Sequence, residues 1–350
     1  MTERALATIR TIDAIDPIIG ADAIEVATVG GWKVVSKLNE FSVGDLAIYF
    51  EIDSWMPHEL APFLSKGQVP REYNGVKGER VRTVKLRGQV SQGLLLPVTY
   101  YDYLLATEYD DEGSYNARTT PFVEGEDVTE YMEIQKWERP LSPQLSGIAK
   151  GNFPSWIPKT DQPRCQNFTK DQFNNYKTLT WGITEKCEGS SATIYMKDGV
   201  FGVCSRNLDL LETEDNTFWK VARQEKLEQI LKSYCGNVAL QGEVIGPGIE
   251  GNIYKLHSYE FRLFDMWDID KQEYFSNGER DTFARAYAIN QAPGLGSNMT
   301  LLNTIAEMLS WADGKSMISN TMREGVVFKC ETDPSISFKA ISNQYLCNEK

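Results

Sequence analysis

The first hundred residues carry short β-rich apolar runs, each closed by a turn signal. The runs fall at residues 5–12, 23–29, 32–35, 46–52, 81–86 and 93–98, with Gly30-Gly31 and Gly44-Asp45 as punctuation. Short strands at a spacing of roughly ten residues predict a small barrel or sandwich. An OB-like barrel, a frequent platform for nucleic acids and oligomers, is the expected form, with Trp32 and Trp55 in its core.

Beyond residue 180 the pattern changes. Leu227, Ile230, Leu231 and Tyr234 make a one-sided stripe that predicts a helix over 223–234, and Leu301, Ile305, Met308 and Leu309 predict another over 301–311. Strand-like runs lie at 192–196, 238–244, 261–265, 325–329 and 336–340, so this half reads as α+β. Between the halves, 107–130 is acidic and polar, as a solvated excursion would be. Residues 131–180 hold Pro140, Pro143, Pro154, Pro158 and Pro163, as an ordered connector would. The expected domains are an all-β OB-like barrel over 1–135, a connector over 136–180 and an α+β domain over 181–350.

Composition narrows the chemistry. A chain of 350 residues with 41% hydrophobic and 24% charged residues has the makings of a soluble two-domain protein. No apolar run is long enough for a membrane helix, and the first residues show no signal-peptide core. Six cysteines without a C-x-x-C pair suggest reduced thiols in a cytoplasmic or nucleoplasmic compartment. With two histidines, His58 and His257, a zinc site or a Ser-His-Asp hydrolase is disfavoured, and lysine, carboxylates and a metal are the expected tools. The net charge of −13 argues against a general nucleic-acid coat protein but leaves room for a local basic track. Arg80, Arg82, Lys85 and Arg87 stand out in a first domain that is otherwise acidic. They are either nucleic-acid contacts or one solvated strand face.

The chemistry concentrates at Glu185-Lys186-Cys187-Glu188-Gly189, just ahead of a strand-like run. A lysine attacks phosphorus only as the neutral amine, so neighbouring cations, a metal or desolvation must lower its pKa. Gly189 would let the backbone pass close to a nucleotide. The tetrapeptide K-x-x-G alone is weak, since Lys85-Leu86-Arg87-Gly88 matches it too. Its company is what distinguishes the first match. Ser205-Arg206-Asn207, Gly242-Glu243, Phe264-Asp265, Glu324-Gly325-Val326-Val327-Phe328-Lys329 and Ser337-Phe338-Lys339-Ala340 follow in order.

This order resembles the covalent nucleotidyltransferase superfamily of ATP-dependent ligases and capping enzymes over residues 185–340. Residues 4–16, 44–53 and 83–93, with a connector at 151–164, look like the ATP-dependent RNA ligase family, which has an OB-like domain ahead of an ATP-grasp-like ligase domain. The resemblance implies that Lys186 carries AMP. It also implies that Glu188, Glu243 and Glu324 orient Mg2+ or Mn2+ through its waters. Phe264 would stack on adenine, and Arg206 would hold ribose or a nucleic-acid phosphate. Lys339 would meet the phosphate in transit and Arg164 the leaving pyrophosphate. Glu185, Gly189, Glu243 and Val327 complete the nucleotide-binding set. The implied reaction seals 3′-OH and 5′-phosphate RNA ends, in a nicked duplex or paired ends, by a monomeric ligase, with an RNA repair and an RNA editing role both open.

Two departures stand out. Glu188 occupies a place where many relatives have Asp, and Lys339 is followed by Ala340-Ile341 where many have K-x-K. Eleven residues follow Lys339, too few for the C-terminal OB domain of a DNA ligase or capping enzyme, which favours an RNA ligase. The alternatives are a DNA ligase or guanylyltransferase of the same superfamily, or a decayed transferase whose OB-like domain merely binds nucleic acid.

Overall fold

The computed structural model describes residues 4–99, 121–138 and 147–348. The chain forms two compact units, Met1–Arg139 and Pro140–Lys350.

In the first unit, Leu46–Phe50 is the middle strand of an antiparallel sheet between Ala7–Thr11 and Leu94–Pro97. Successive side chains of a strand point to opposite faces. Here Ile48 and Phe50 enter a core with Leu6, Ile9, Met56 and Leu96, whereas Ala47 and Tyr49 enter another with Ile12, Val29, Trp32, Val34 and Leu95. Burial on both faces explains why this run is continuously apolar rather than alternating. Ala14–Pro17, Ile24–Val29 and Trp32–Lys37 form a second sheet. Its Val29–Trp32 hairpin closes on Gly30, whose φ of 56° a side chain would resist. Gln135–Lys136, Ser54–Pro57, Val76–Arg80 and Arg71–Tyr73 form a third, and Thr83–Leu86 pairs with Gln89–Gln92 in a fourth. The described strands of this β-domain thus pair in four small sheets. Trp32 and Trp55 are both buried, as expected.

Part of the acidic stretch at 107–130, residues 107–120, lies outside the described residues. The remainder is largely exposed, as expected, but it is anchored. Ile9 donates its amide to Glu126 O and Val128 donates to Ala7 O, so this segment is laced to the first strand.

In the second unit, a seven-stranded sheet runs in the order Ala149–Asn152, Leu208–Leu210, Val200–Cys204, Ser190–Lys197, Val238–Ile245, Glu260–Asp268 and Glu273–Tyr274. A four-stranded sheet runs Gly294–Met299, Trp181–Lys186, Gly325–Cys330, Ser337–Ile341. Helices Thr217–Gln224, Leu227–Tyr234 and Asn277–Ala286 bury Trp219, Val221, Leu231 and Phe283 against the large sheet. Helix Ile305–Ala312 buries Met308 and Leu309 with Trp181, Phe328 and Phe338 of the small one. Each such apolar side chain contributes about 1.5–3 kcal/mol by leaving water.

The helix expected over 223–234 is two helices. Asn216 caps the first, and Lys226 at φ 56° breaks the backbone before the second, which carries the predicted stripe. The helix expected from 301 starts at Ile305, where the Thr304 side chain accepts the Glu307 amide. Most of the stretch read as a connector over 136–180 belongs to this second unit. Ala149–Asn152 pairs with Leu208–Leu210 as the edge of the large sheet, and Lys170–Tyr176 is a helix. Pro140 and Pro143 lie outside the described residues.

Candidate functional site

Lys186 ends the strand Trp181–Lys186, where Trp181, Ile183 and Glu185 take the buried positions. Pairing sets Lys186 opposite Gly325, so Glu324 arrives beside it. The Lys186 ammonium donates to the Glu324 carboxylate at 2.7 Å. Burial pulls the Lys186 pKa down, but the negative charges of Glu324 and Glu243 outweigh it and hold the group above the ordinary lysine value. The free site therefore keeps the lysine protonated, the reverse of the lowered pKa that nucleophilic attack requires.

Glu188 and Gly189 form the turn after Lys186. The Glu188 amide donates to the Tyr254 hydroxyl at 2.8 Å. A side chain at Gly189 would put its Cβ 2.5 Å from Val244 O and 2.8 Å from Glu243 Cγ. Close approach to the neighbouring strand is thus the constraint the structure places on Gly189, in addition to any approach to a nucleotide. That contact sets the Glu243 side chain beside the turn, with Ser191 opposite it in register.

Burial pushes the Glu243 carboxyl up to about 8, with Lys186 pulling it back and Glu324 pushing it further. Burial also pushes Glu188 up to about 7, with the Glu324 and Glu250 charges adding to the rise. Glu188 Oε2 is buried without a hydrogen-bond partner. Three carboxylates around one lysine leave an excess of negative charge, and hard oxygen donors suit Mg2+ or Mn2+. Among the described residues no three His, Cys, Asp or Glu side chains converge closely enough to ligate an ion directly. The arrangement fits an ion held through its water shell.

Beside the lysine lies an apolar cluster of Cys187, Ile245, Tyr254 and Ala292, against which Phe264 and Ile318 pack. Phe264 owes its position to a β-bulge. Gln241 pairs with Asp265 and Gly242 with Leu263, so Phe264 is the extra residue between them. Its carbonyl, deprived of a strand partner, accepts from Arg280 at 3.0 Å. The Glu185 carboxylate reaches the same neighbourhood. One oxygen accepts the Met317 amide at 2.7 Å, and Oε1 is buried without a partner.

Val327 stands between Thr184 and Lys339 in register, which brings Lys339 to the strand next but one from Lys186. Arg164 is buried and forms a parallel bridge to Lys339, whose amide donates to Pro163 O at 2.9 Å. Arg206 makes an exposed pair with Asp161 at 2.7 Å and lies within electrostatic reach of Glu243. The second unit thus gathers Glu185, Lys186, Glu188, Gly189, Glu243, Phe264 and Glu324, with Val327, Lys339, Arg164 and Arg206 around them.

The basic cluster lies in the first unit, and its members differ. Arg80 is engaged: it pairs with Asp53 and sits 4.0 Å over the Trp137 ring. Arg82, Lys85 and Arg87 are exposed on or beside the Thr83–Leu86 hairpin, whose turn holds Arg87 and Gly88 at positive φ. The competing K-x-x-G match at Lys85 is therefore a solvent-facing turn.

Sequence reasoning misses several residues. Tyr254 and Glu250 bear on Glu188, Arg280 on Phe264, and Lys329 makes a buried ion pair with Asp265 that links the two sheets. Asp265 and Lys329 lie within the noted motifs, and that is the available signal. Their pairing across sheets leaves none.

Comparison with known proteins agrees with both halves. A family profile described as an OB-fold domain matches residues 6–98, and one described as RNA ligase matches 179–341. Solved structures of Naegleria gruberi RNA ligase are similar throughout. A lysine-to-alanine variant with ATP and Mn shares 43% identity, covering 97% of this chain and 98% of that one, with a TM-score of 0.86. A glutamate-to-alanine variant with AMP and Mn gives the same identity and TM-score over 98% of each chain. The protein with PPi gives 43% identity, 98% of each chain and a TM-score of 0.85. No curated protein sequence matches.

Proposed function

The chain belongs to the RNA ligase family and is an ATP-dependent RNA ligase with an OB-fold domain, and from that premise we propose that Lys186 is its nucleotide-accepting lysine and that it seals RNA ends held in a nicked or paired duplex. The observation that carries this reading is the Lys186–Glu324 pair at the strand end, ringed by Glu188 and Glu243.

The free site stores Lys186 as an ammonium on Glu324, so the proton must leave before the amine attacks. Glu243, pushed up to about 8, is itself largely protonated near neutral pH, so the proton leaves to solvent or a substrate phosphate oxygen instead. The amine then bonds to the α-phosphorus of ATP as the bond to pyrophosphate breaks. An RNA 5′-phosphate oxygen next takes the AMP from the lysine. The RNA 3′-OH finally attacks that 5′-phosphate and AMP leaves. Glu188, Glu243 and Glu324 would hold a divalent ion through its waters, and that ion would supply charge neutralisation on the phosphates.

Around these steps the chain's own groups position the substrate. Phe264 offers its ring to the base from the bulge. Glu185 Oε1 is an unfilled acceptor suited to the adenine amino group and unsuited to the guanine carbonyl. Lys339 and Arg164 receive phosphate charge, and Arg206 is available to ribose or RNA phosphate once it leaves Asp161. Arg82, Lys85 and Arg87 contact RNA phosphates.

The test is intact-mass analysis after incubation with ATP and Mn2+. The wild type should gain the mass of AMP, Lys186→Ala should not, and Lys85→Ala should. An adduct on folded Lys186→Ala would overturn the reading.

A further inference from the structure

The residue just before Glu324 makes a set of contacts that the reaction does not explain. Arg323 is buried, at 8% exposure. Its Nε donates to Ala312 O at 3.0 Å and its Nη2 to Trp311 O at 2.5 Å. These are the last carbonyls of helix Ile305–Ala312, which have no partner within the helix. A cation there also meets the negative end of the helix dipole. Gly314 leaves the room this needs, since a Cβ on it would fall 3.0 Å from Arg323 Nη2.

The backbone of Arg323 closes a loop as well. Its amide donates to Gly314 O at 3.0 Å, Lys315 bridges to Met322, and the Ser316 amide donates to Thr321 O at 2.8 Å. This clasped loop presents two groups to Glu185 and the apolar cluster beside Lys186. The Met317 amide holds Glu185 Oε2, and Ile318 packs in the cluster with Cys187 and Phe264. Met317's own side chain is 67% exposed, so the backbone amide is what the loop contributes there. The Glu185 charge also acts on the Arg323 guanidinium.

We propose that Arg323 is a positioning residue for nucleobase choice: by pinning the Gly314–Met322 loop to the helix end, it fixes the Met317 amide that orients Glu185 toward the base. Arg bridges two carbonyls with one planar fork, whereas lysine brings a single point charge. Arg323→Lys keeps the charge and loses the fork. The inference rests on the reading of Glu185 as the base acceptor, so its test measures binding rather than turnover.

The probes are the α,β-methylene analogues of ATP and GTP, which cannot release pyrophosphate, with affinities measured in the presence of Mg2+. Arg323→Lys should weaken the ATP analogue about tenfold, the cost of one charge-assisted hydrogen bond, and cut the ATP-to-GTP preference by a similar factor. Met317→Pro removes the amide without touching Arg323 and should lower the same ratio, so it decides the matter if Arg323→Lys does not fold. A lowered melting temperature with an unchanged ratio in the folded variants would mean a purely structural role and would overturn the proposal. Should the wild type bind the ATP analogue selectively yet form no adduct with ATP, the nucleotide-accepting role of Lys186 would fall while the role of Arg323 stood.

Discussion

Lys186 and Glu324 meet at 2.7 Å from neighbouring strands of one sheet, an ammonium and a carboxylate each mostly shielded from water. The pair is a resting state. It holds the lysine in place and also holds its proton, so on the proposed role of Lys186 the carboxylate of Glu324 would both oppose and prepare the attack.

Glu324→Ala should therefore have two separable effects. Lys186 loses its partner and its pKa falls, since the Glu324 charge does more than any other group to raise it. Adenylylation should nonetheless drop by orders of magnitude, because a hydrated ion loses a fixed acceptor, with partial recovery at high Mn2+. Rapid-quench measurement of AMP incorporation against pH and Mn2+ checks both. Near-wild-type rates at ordinary Mn2+ would make Glu324 a bystander.

The raised Glu243 carboxyl gives a pH signature in the ligand-free protein. A group whose folded pKa lies above its unfolded value stabilises the fold fully below the unfolded value, near 4.5, and loses that contribution as pH rises through about 8. Glu243→Gln should match the wild type in stability near pH 4.5 and exceed it at pH 8.5, by on the order of 1–3 kcal/mol. Added Mg2+ should narrow the gap at high pH by stabilising the carboxylate form. Thermal melts at the two pH values, with and without Mg2+, decide it. Equal melting points at pH 8.5 without metal would refute the strained carboxylate.

How much of the site is legible in the sequence depends on range. Lys186, Glu188 and Gly189 are contiguous, and Glu243 and Glu324 each abut a glycine and an apolar strand, so local pattern finds them. Phe264 is visible as a motif residue, but the bulge that places it depends on registration with Gln241 and Gly242, which no local pattern encodes. Arg80 resembles its basic neighbours because Asp53, its partner, lies 27 positions away. Arg323 gives no signal at all, since its role arises from carbonyls at the end of another element. The fold divides in the same way. Short apolar runs mark the strands, whereas the break at Lys226 and the pairing of residues 149–152 with a strand some sixty positions on follow from tertiary packing.

The Asp265–Lys329 pair links the two sheets, with both side chains less than a tenth exposed. Removing one member of a buried pair strands the other charge, at a cost of about 3–5 kcal/mol. Asp265→Ala should lower the melting temperature by several degrees and leave Lys329 uncompensated, whereas the double change Asp265→Leu with Lys329→Met should recover much of the loss. A double variant no more stable than Asp265→Ala would show that the pair contributes more than charge balance to the joining of the sheets.

The basic hairpin separates binding from folding. Arg80 is 16% exposed at its side chain and held by Asp53 and Trp137, so Arg80→Ala should destabilise the OB-fold domain and change RNA affinity little in the protein that remains folded. Arg82, Lys85 and Arg87 are exposed along a two-stranded ribbon, and neutralising all three should leave the melting temperature nearly unchanged. Each cationic side chain that sits on an RNA phosphate releases counterions, so its removal flattens the plot of log affinity against log salt by about one unit. The triple variant should bind RNA more weakly at low salt with a slope shallower by about two to three units, the sum over its three cations, while AMP attachment to Lys186 proceeds at the wild-type rate. Fluorescence anisotropy with a nicked RNA duplex across a salt series gives the slope. An unchanged slope in the triple variant, or a larger change from Arg80→Ala than from the other three together, would remove the hairpin from the RNA-binding surface.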